Sequence, residues 1–212
     1  MATPDVSPDV IVLSFDGRRV PRALADLPAV SVSNPADVDA MVDVRRLIVL
    51  GTHGDLAVVL SRLLRADRLD VEVAFVRRGR PARRARTAAA RRVPLIRDET
   101  GAVLTRAALW LPPEDTARTV TGEAVVDDTV LFDGEATGVR IEPTSDLPGL
   151  RARVLTGWLR PRRWVTGRAA QLGTTGTLVV RDGTRASRPA RRSTFYRNTQ
   201  GWLSVRSSSF VW

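Results

Sequence analysis

The stretch Leu47-Ile48-Val49-Leu50-Gly51-Thr52-His53-Gly54-Asp55-Leu56 decides the fold. Its four leading apolar residues show no polar alternation, the pattern of a strand buried on both faces in a parallel sheet. Downstream, Leu56, Val59, Leu60, Leu63 and Leu64 recur at i, i+3, i+4, i+7 and i+8, which is one apolar face of a helix. The unit therefore reads strand, glycine turn, helix. Glycine lets the backbone approach a ligand closely, and the first helix amides point outward at the positive end of the dipole. Gly51, Thr52, Gly54 and Asp55 thus form a candidate phosphate-binding turn, although the same residues also suit a plain structural turn.

On either side the chain alternates strands with helices. Val10 to Leu13 reads as a first strand closed by the Asp16-Gly17 turn, and Arg22 to Leu27 as a short helix ended by Pro28. Val30 to Ser33 follows as a strand, and Asn34-Pro35 caps a helix from about Ala36 to Val42. Leu69 to Val76 is a strand by the alternation of Val71, Val73 and Phe75. This order implies a small parallel sheet, whose ligands sit at the carboxyl ends of the strands. From Val103 onward the period changes to short runs between turn residues, with Asp133-Gly134 and Asp182-Gly183 as turn signals. The expected architecture is an α/β N-terminal domain over 8–96, an antiparallel β-sandwich-like domain over 97–206, and a tail over 207–212.

Composition sets the outer limits. The 212 residues contain no cysteine, which excludes disulfides, thiolate metal sites and a cysteine nucleophile. No apolar run reaches the roughly 20 residues of a membrane span, and the first residues lack a basic region followed by an apolar core. A soluble, cytoplasmic protein is expected. The net charge is +10 and there is no lysine. Arg77, Arg78, Arg80, Arg83, Arg84, Arg86, Arg91 and Arg92 fall within sixteen residues that hold no acid, so this segment carries eight of those charges. The rest of the chain is nearly balanced, so the cationic segment 77–92 is the candidate anion-binding feature. Gly-x-Ser-x-Gly, His-Glu-x-x-His and Walker sequences are absent.

An ordered series of segments resembles the diacylglycerol kinase and sphingosine kinase catalytic-domain family, which is related to NAD kinases. Gly51-Thr52-His53-Gly54-Asp55 stands where that family has Gly-Gly-Asp-Gly-Thr. Val130-Leu131-Phe132-Asp133-Gly134-Glu135-Ala136-Thr137-Gly138 is similar to its strand ending in Asn-Gly with a glycine-rich sequel. Pro143 to Arg153 resembles the proline-then-Asp-Gly segment, Val179 to Gly183 the late Asp-Gly-Glu motif, and Pro189 to Val205 the closing strands. The resemblance implies a nucleotide-binding α/β domain followed by a β-sandwich, with ATP and Mg²⁺ as cofactors. It implies Asp182 and His53 as catalytic positions, Gly79 with Arg77, Arg78 and Arg80 as phosphate or nucleotide contacts, and Asp146 as a metal ligand.

The departures weigh against efficient transfer. His53 replaces the family's Asp, and imidazole is a poor substitute for a hard oxygen ligand of Mg²⁺. Arg77-Arg78-Gly79-Arg80-Pro81 keeps only the glycine of Pro-x-Gly-Thr-x-Asn, Thr184 follows Gly183 where an acid is expected, and Ser145-Asp146-Leu147-Pro148-Gly149 splits the Asp-Gly pair. Phosphoryl transfer depends on positioned charge, so these losses matter. The leading expectation is a divergent lipid-kinase-like protein binding an anionic ligand, a nucleotide or lipid phosphate, with weak or no phosphoryl transfer. Two alternatives stand beside it: an active ATP-dependent lipid or NAD kinase, and a nucleic-acid or acidic-surface binder using the segment 77–92. Trp158-Leu159-Arg160-Pro161-Arg162-Arg163-Trp164 adds a peripheral membrane contact as a further option, against a surface loop with core-anchored tryptophans.

Overall fold

The structure is a computed structural model that describes residues 9–77, 82–113, 117–155 and 163–205. Arg78, Gly79 and Arg80, most of the 158–164 segment, and the tail lie outside the described residues. The chain forms two compact units, one from the residues up to Val93 together with those from Gly201, the other from Pro94–Gln200.

In chain order the first unit holds β1 (Val10–Phe15), a 3-10 turn (Arg22–Leu24), β2 (Ala29–Val32), a second 3-10 segment (Pro35–Met41) and β3 (Arg46–Leu50). It continues with α1 (His53–Arg65), β4 (Glu72–Val76), α2 (Arg83–Thr87) and β5 (Ala90–Val93). The second unit holds β6 (Ile96–Asp98), β7 (Val103–Leu104), β8 (Ala108–Leu111), β9 (Val120–Val126), β10 (Thr129–Ala136) and β11 (Val139–Pro143). Then come β12 (Leu150–Val154), β13 (Val165–Gly167), β14 (Ala169–Arg181), β15 (Thr184–Arg185) and β16 (Ala190–Arg197), before β17 (Trp202–Val205) returns to the first unit.

The first sheet runs β2-β1-β3-β4-β17-β5. β1 is parallel to both β2 and β3, β4 is parallel to β3, and only β5 is antiparallel to its neighbour β17. All five residues of β3 are buried, as a strand covered on both faces requires. On one face α1 buries Leu56, Val59, Leu60 and Leu63. On the other, Val12, Ile48, Leu50, Ala74 and Val76 form a cluster with Leu24 of the first 3-10 turn and with Ala82 and Ala85 of the α2 segment. The Pro35–Met41 segment is a 3-10 helix rather than an α-helix, and Asn34 caps it by accepting from Ala36 N–H at 3.0 Å.

β17 departs from the expected domain division. Its alternation marks a strand, but period alone does not say which sheet a strand joins. It lies between β4 and β5, with Leu203 opposite Glu72 and Arg92. Gly201 permits the approach, since a Cβ there would lie 2.2 Å from the Val93 carbonyl oxygen.

The second unit is an eleven-stranded antiparallel sheet that branches at β14. Among the short runs expected after Val103, the stretch from Ala169 to Arg181 is instead one thirteen-residue strand, β14. Its first half pairs with β9 and β16, and its second half with β8 and β15. One buried cluster draws on both halves, from Ala124, Leu172 and Phe195 to Trp110, Ile141, Ala152 and Val179. Asp182-Gly183 is a turn with φ of 47° and 94°, as its composition dictates. Asp133-Gly134 is not: it lies inside β10, Gly134 facing Gly122. The β9–β10 turn falls instead at Asp127-Asp128, where Asp127 adopts φ 48° and its carboxylate accepts from the Arg168 and Ala169 N–H groups.

Candidate functional site

The order of the first sheet contains a reversal of winding. From β1 the chain moves to β2 on one side and then to β3 on the other, so the winding reverses between β1 and β3. In open α/β sheets ligands bind at the carboxyl ends of the strands flanking such a reversal. Here those ends lead into Asp16-Gly17 after β1 and Gly51-Thr52-His53-Gly54 after β3. Asp16 and Gly17 have φ of 54° and 62°, and the Ser14 hydroxyl donates to the Arg18 carbonyl at 2.6 Å, which closes that turn.

The glycine turn is organised by a capping box. Thr52 is the N-cap of α1, and its Oγ1 accepts from Asp55 N–H at 3.3 Å. In return, Asp55 Oδ2 accepts from Thr52 N–H at 2.6 Å and from the Thr52 hydroxyl at 2.8 Å. Asp55 therefore holds the turn rather than pointing away from it. A Cβ at Gly51 would stand 2.5 Å from Asp55 Oδ2, so glycine is dictated by the capping carboxylate. Gly54 is different: the nearest atom to a Cβ there is Thr52 Oγ1 at 3.5 Å, and its N–H meets no acceptor among the described residues. The His53 ring packs edge-on against Phe75 of β4, with centroids 5.0 Å apart and planes inclined by 64°. This gives His53 a packing role.

Arg77 follows β4 directly and is exposed. Leu50 of β3 pairs with Val76 of β4, so Gly51 and Arg77 are the first residues past the same rung. The glycine turn and Arg77 are thus neighbours in the strand register. From Ala82 onward the described part of the arginine segment packs against the face of the sheet. Ala82 and Ala85 are buried against the β-face, and Arg46, the first residue of β3, anchors the end of α2. Its Nη1 donates to the Ala85 and Arg86 carbonyls at 3.0 and 2.6 Å and its Nη2 to the Ala88 carbonyl at 2.9 Å, while Nε donates to Glu72 at 2.7 Å. Arg86 pairs with Asp26 at 2.7 Å, and Arg92 donates to the Gly201 carbonyl at 2.6 Å. Arg86 and Arg92 of the segment are thus engaged by groups of the first unit other than the glycine turn.

In the second unit the carboxylates serve structure. Asp182 Oδ1 accepts from the Arg106 and Ala107 N–H groups at 2.7 and 3.0 Å, and Oδ2 from the Thr105 N–H and hydroxyl at 2.9 and 3.1 Å. Burial pushes this carboxyl above its ordinary value, and the hydrogen bonds from residues 105–107 pull the other way. With four donors around its two oxygens Asp182 is a clamp on the Thr105–Ala107 turn, a geometry at odds with a proton acceptor. Asp98 is wholly buried: Oδ1 accepts from the Thr100 N–H, the Thr100 hydroxyl and the Ala102 N–H, while Oδ2 lies 2.6 Å from Arg181 Nε. Glu142 is held by Arg140 and Arg151 at 2.6 Å each. Trp164, at the end of the tryptophan-arginine segment, lies under the Arg151 and Arg153 guanidinium groups at 4.4 and 4.5 Å, so both cations are engaged with this ring.

Asp146 is exposed and accepts from the Ser145 hydroxyl at 2.8 Å. No three His, Asp or Glu side chains converge among the described residues. Sequence reasoning missed Asp16-Gly17 as a site element. Its composition signals only a turn, and its position opposite Gly51 follows from the strand order.

No family model matches the sequence, and no curated protein matches it. Solved structures do. A diacylglycerol kinase from Bacillus anthracis str. Sterne aligns with a TM-score of 0.74 at 14% identity, covering 96% of this chain and 99% of that one. An NAD kinase from Archaeoglobus fulgidus, solved in complex with ATP, aligns with a TM-score of 0.68 at 10% identity, covering 94% of each chain. Yeast NADH kinase complexed with NADH gives 0.57 at 7% identity, covering 98% of this chain and 86% of that one. The chain has the fold of these kinases, an α/β unit with a mixed six-stranded sheet and a large antiparallel β unit.

Proposed function

We propose that this chain, built on the diacylglycerol kinase and NAD kinase fold, binds the phosphate groups of a nucleotide or lipid phosphate at the carboxyl edge of its first sheet and transfers phosphoryl groups weakly or not at all. The observation that carries the reading is the coincidence of the winding reversal between β1 and β3 with the Gly51 to Gly54 turn. The Gly54 N–H and the α1 dipole favour negative charge there by roughly 0.3 to 1 kcal/mol. The Asp55 carboxylate opposes a second anion at the same helix end, and Arg77, beside Gly51 in register, offsets it with a guanidinium fork. The A. fulgidus relative of this fold was solved with ATP, which makes ATP the first ligand to try.

Weak transfer is supported by the roles the carboxylates already hold. Asp55 completes a capping box, Asp182 clamps residues 105–107, and His53 packs on Phe75. The test is to measure ATP binding by calorimetry and ATP-dependent phosphorylation of diacylglycerol, sphingosine and NAD on the same preparation. Saturable binding without turnover is expected. Robust turnover would establish the active-kinase alternative, and binding of short oligonucleotides with steep salt dependence in place of ATP would establish the nucleic-acid alternative.

A further inference from the structure

The first unit has a second cationic feature away from the glycine turn. Arg22 and Ala23 of the first 3-10 turn and Arg83, Arg86 and Thr87 of α2 line a cleft of about 540 Å³. Arg86 and Thr87 lie at the end of α2, whose carbonyls Arg46 anchors from the first residue of β3. The glycine turn follows the last residue of that strand, roughly 13 Å along it at about 3.3 Å per residue.

The charges around the cleft do not cancel. Asp26 is engaged by Arg86, with Oδ1 at 2.8 Å from Nη1 and Oδ2 at 2.7 Å from Nη2, and this pair bridges the two walls. The carbonyls of Ala85, Arg86 and Ala88 are turned inward to Arg46, so the negative end of α2 is neutralised from within. Arg22 and Arg83 are exposed on opposite walls, and no acid pairs with either among the described residues. Two guanidinium groups line one concavity, and an anion between them is attracted by both.

We propose that this cleft binds a compact phosphate-bearing small molecule, with Arg22 and Arg83 gripping the phosphate from the two walls. A carboxylate offers two oxygens and satisfies one fork. A terminal phosphate offers three and can accept from both forks at once. The volume falls within the range of small-ligand clefts, and the Thr87 hydroxyl supplies a neutral partner for the remainder of the molecule.

The probe is inorganic pyrophosphate, titrated into the full chain while the backbone amide resonances of Ala23, Arg83 and Thr87 are followed, with a short RNA oligonucleotide as the competing probe. Saturable shifts of these amides by pyrophosphate are expected. The Arg22→Gln, Arg83→Gln double variant, altered only at exposed positions, is expected to bind at these amides at least about tenfold more weakly, as loss of a charge-assisted bond predicts. Arg77→Ala is expected to leave this response unchanged, since it lies at the carboxyl edge. The proposal is overturned if these amides do not respond, if the double variant responds like wild type, or if only the RNA moves them. Because Gly51 and Gly54 report separately on the carboxyl edge, failure here is distinguishable from failure there.

Discussion

Replacing Asp182 with Asn separates a clamp from a catalytic base. The native carboxylate accepts four hydrogen bonds at 2.7 to 3.1 Å, three from backbone N–H groups and one from the Thr105 hydroxyl. An Asn side chain keeps one carbonyl oxygen and must turn its NH₂ toward the other pair of donors, so about half the bonds are lost. Arg106 is exposed and water replaces its partner, which leaves the half-buried Ala107 N–H to go without an acceptor. That costs roughly 1 to 3 kcal/mol, with a further contribution near 1 kcal/mol for the second bond. Two facts hold the figure down. Burial already disfavours the ionised carboxyl, a cost that the neutral amide avoids. Asn also tolerates the left-handed backbone at φ 47° better than other non-glycine residues do. The expected loss is about 2 kcal/mol, seen as a fall of roughly 4 to 8 °C in the thermal midpoint and a lower urea midpoint with unchanged m. Affinity for ATP is expected to stay the same. An unchanged melting point combined with loss of phosphoryl transfer would refute the clamp and make Asp182 the base.

Other perturbations test other parts of the account. At Glu142 burial acts to raise the carboxyl, but hydrogen bonds and charge from Arg151 and Arg140 outweigh it and hold it below the ordinary range. A depressed folded value contributes stability that is present above the ordinary carboxylate pKa and lost as pH falls through the folded one. Urea unfolding between pH 6 and pH 3 should show this acid loss, and Glu142→Gln should remove its share of it. Gly51→Ala should disrupt the capping box and cost about 1 to 3 kcal/mol, because its Cβ would meet Asp55 at 2.5 Å. Gly54→Ala has room for its Cβ and should stabilise α1 by up to about 1 kcal/mol, while weakening any ligand seated on that amide. Arg46→Met would leave Glu72 without its buried partner and three α2 carbonyls without a donor, for roughly 3 kcal/mol by chemical denaturation.

Much of the first unit was legible because its signals are local. Four apolar residues before a glycine turn, and a 3.6-residue apolar stripe after it, specify β3 and α1 without tertiary information, and Thr52-x-x-Asp55 carries its own cap. What could not be read depends on pairing. The alternation of Trp202–Val205 marks a strand but not its sheet, and the winding reversal that gives Asp16-Gly17 its place exists only in the strand order. Asp133-Gly134 has hairpin chemistry yet lies within a ladder, while Asp127, less turn-like by composition, takes the turn because it caps the start of β14. The arginine run is legible only as a count in the same way. Its count of charges is visible in sequence, but Ala82 and Ala85 pack against the face of the sheet, and Arg77 is its described member at the carboxyl edge.

The most direct test of the central claim is an ATP titration of the wild-type chain read out residue by residue as backbone amide shifts. The account predicts saturable shifts centred on Asp16, Gly17, Gly51, Thr52, Gly54 and Arg77, reduced by Arg77→Ala. Absence of shifts there, or saturable shifts confined to the β14 and β16 strands of the second unit, would contradict it.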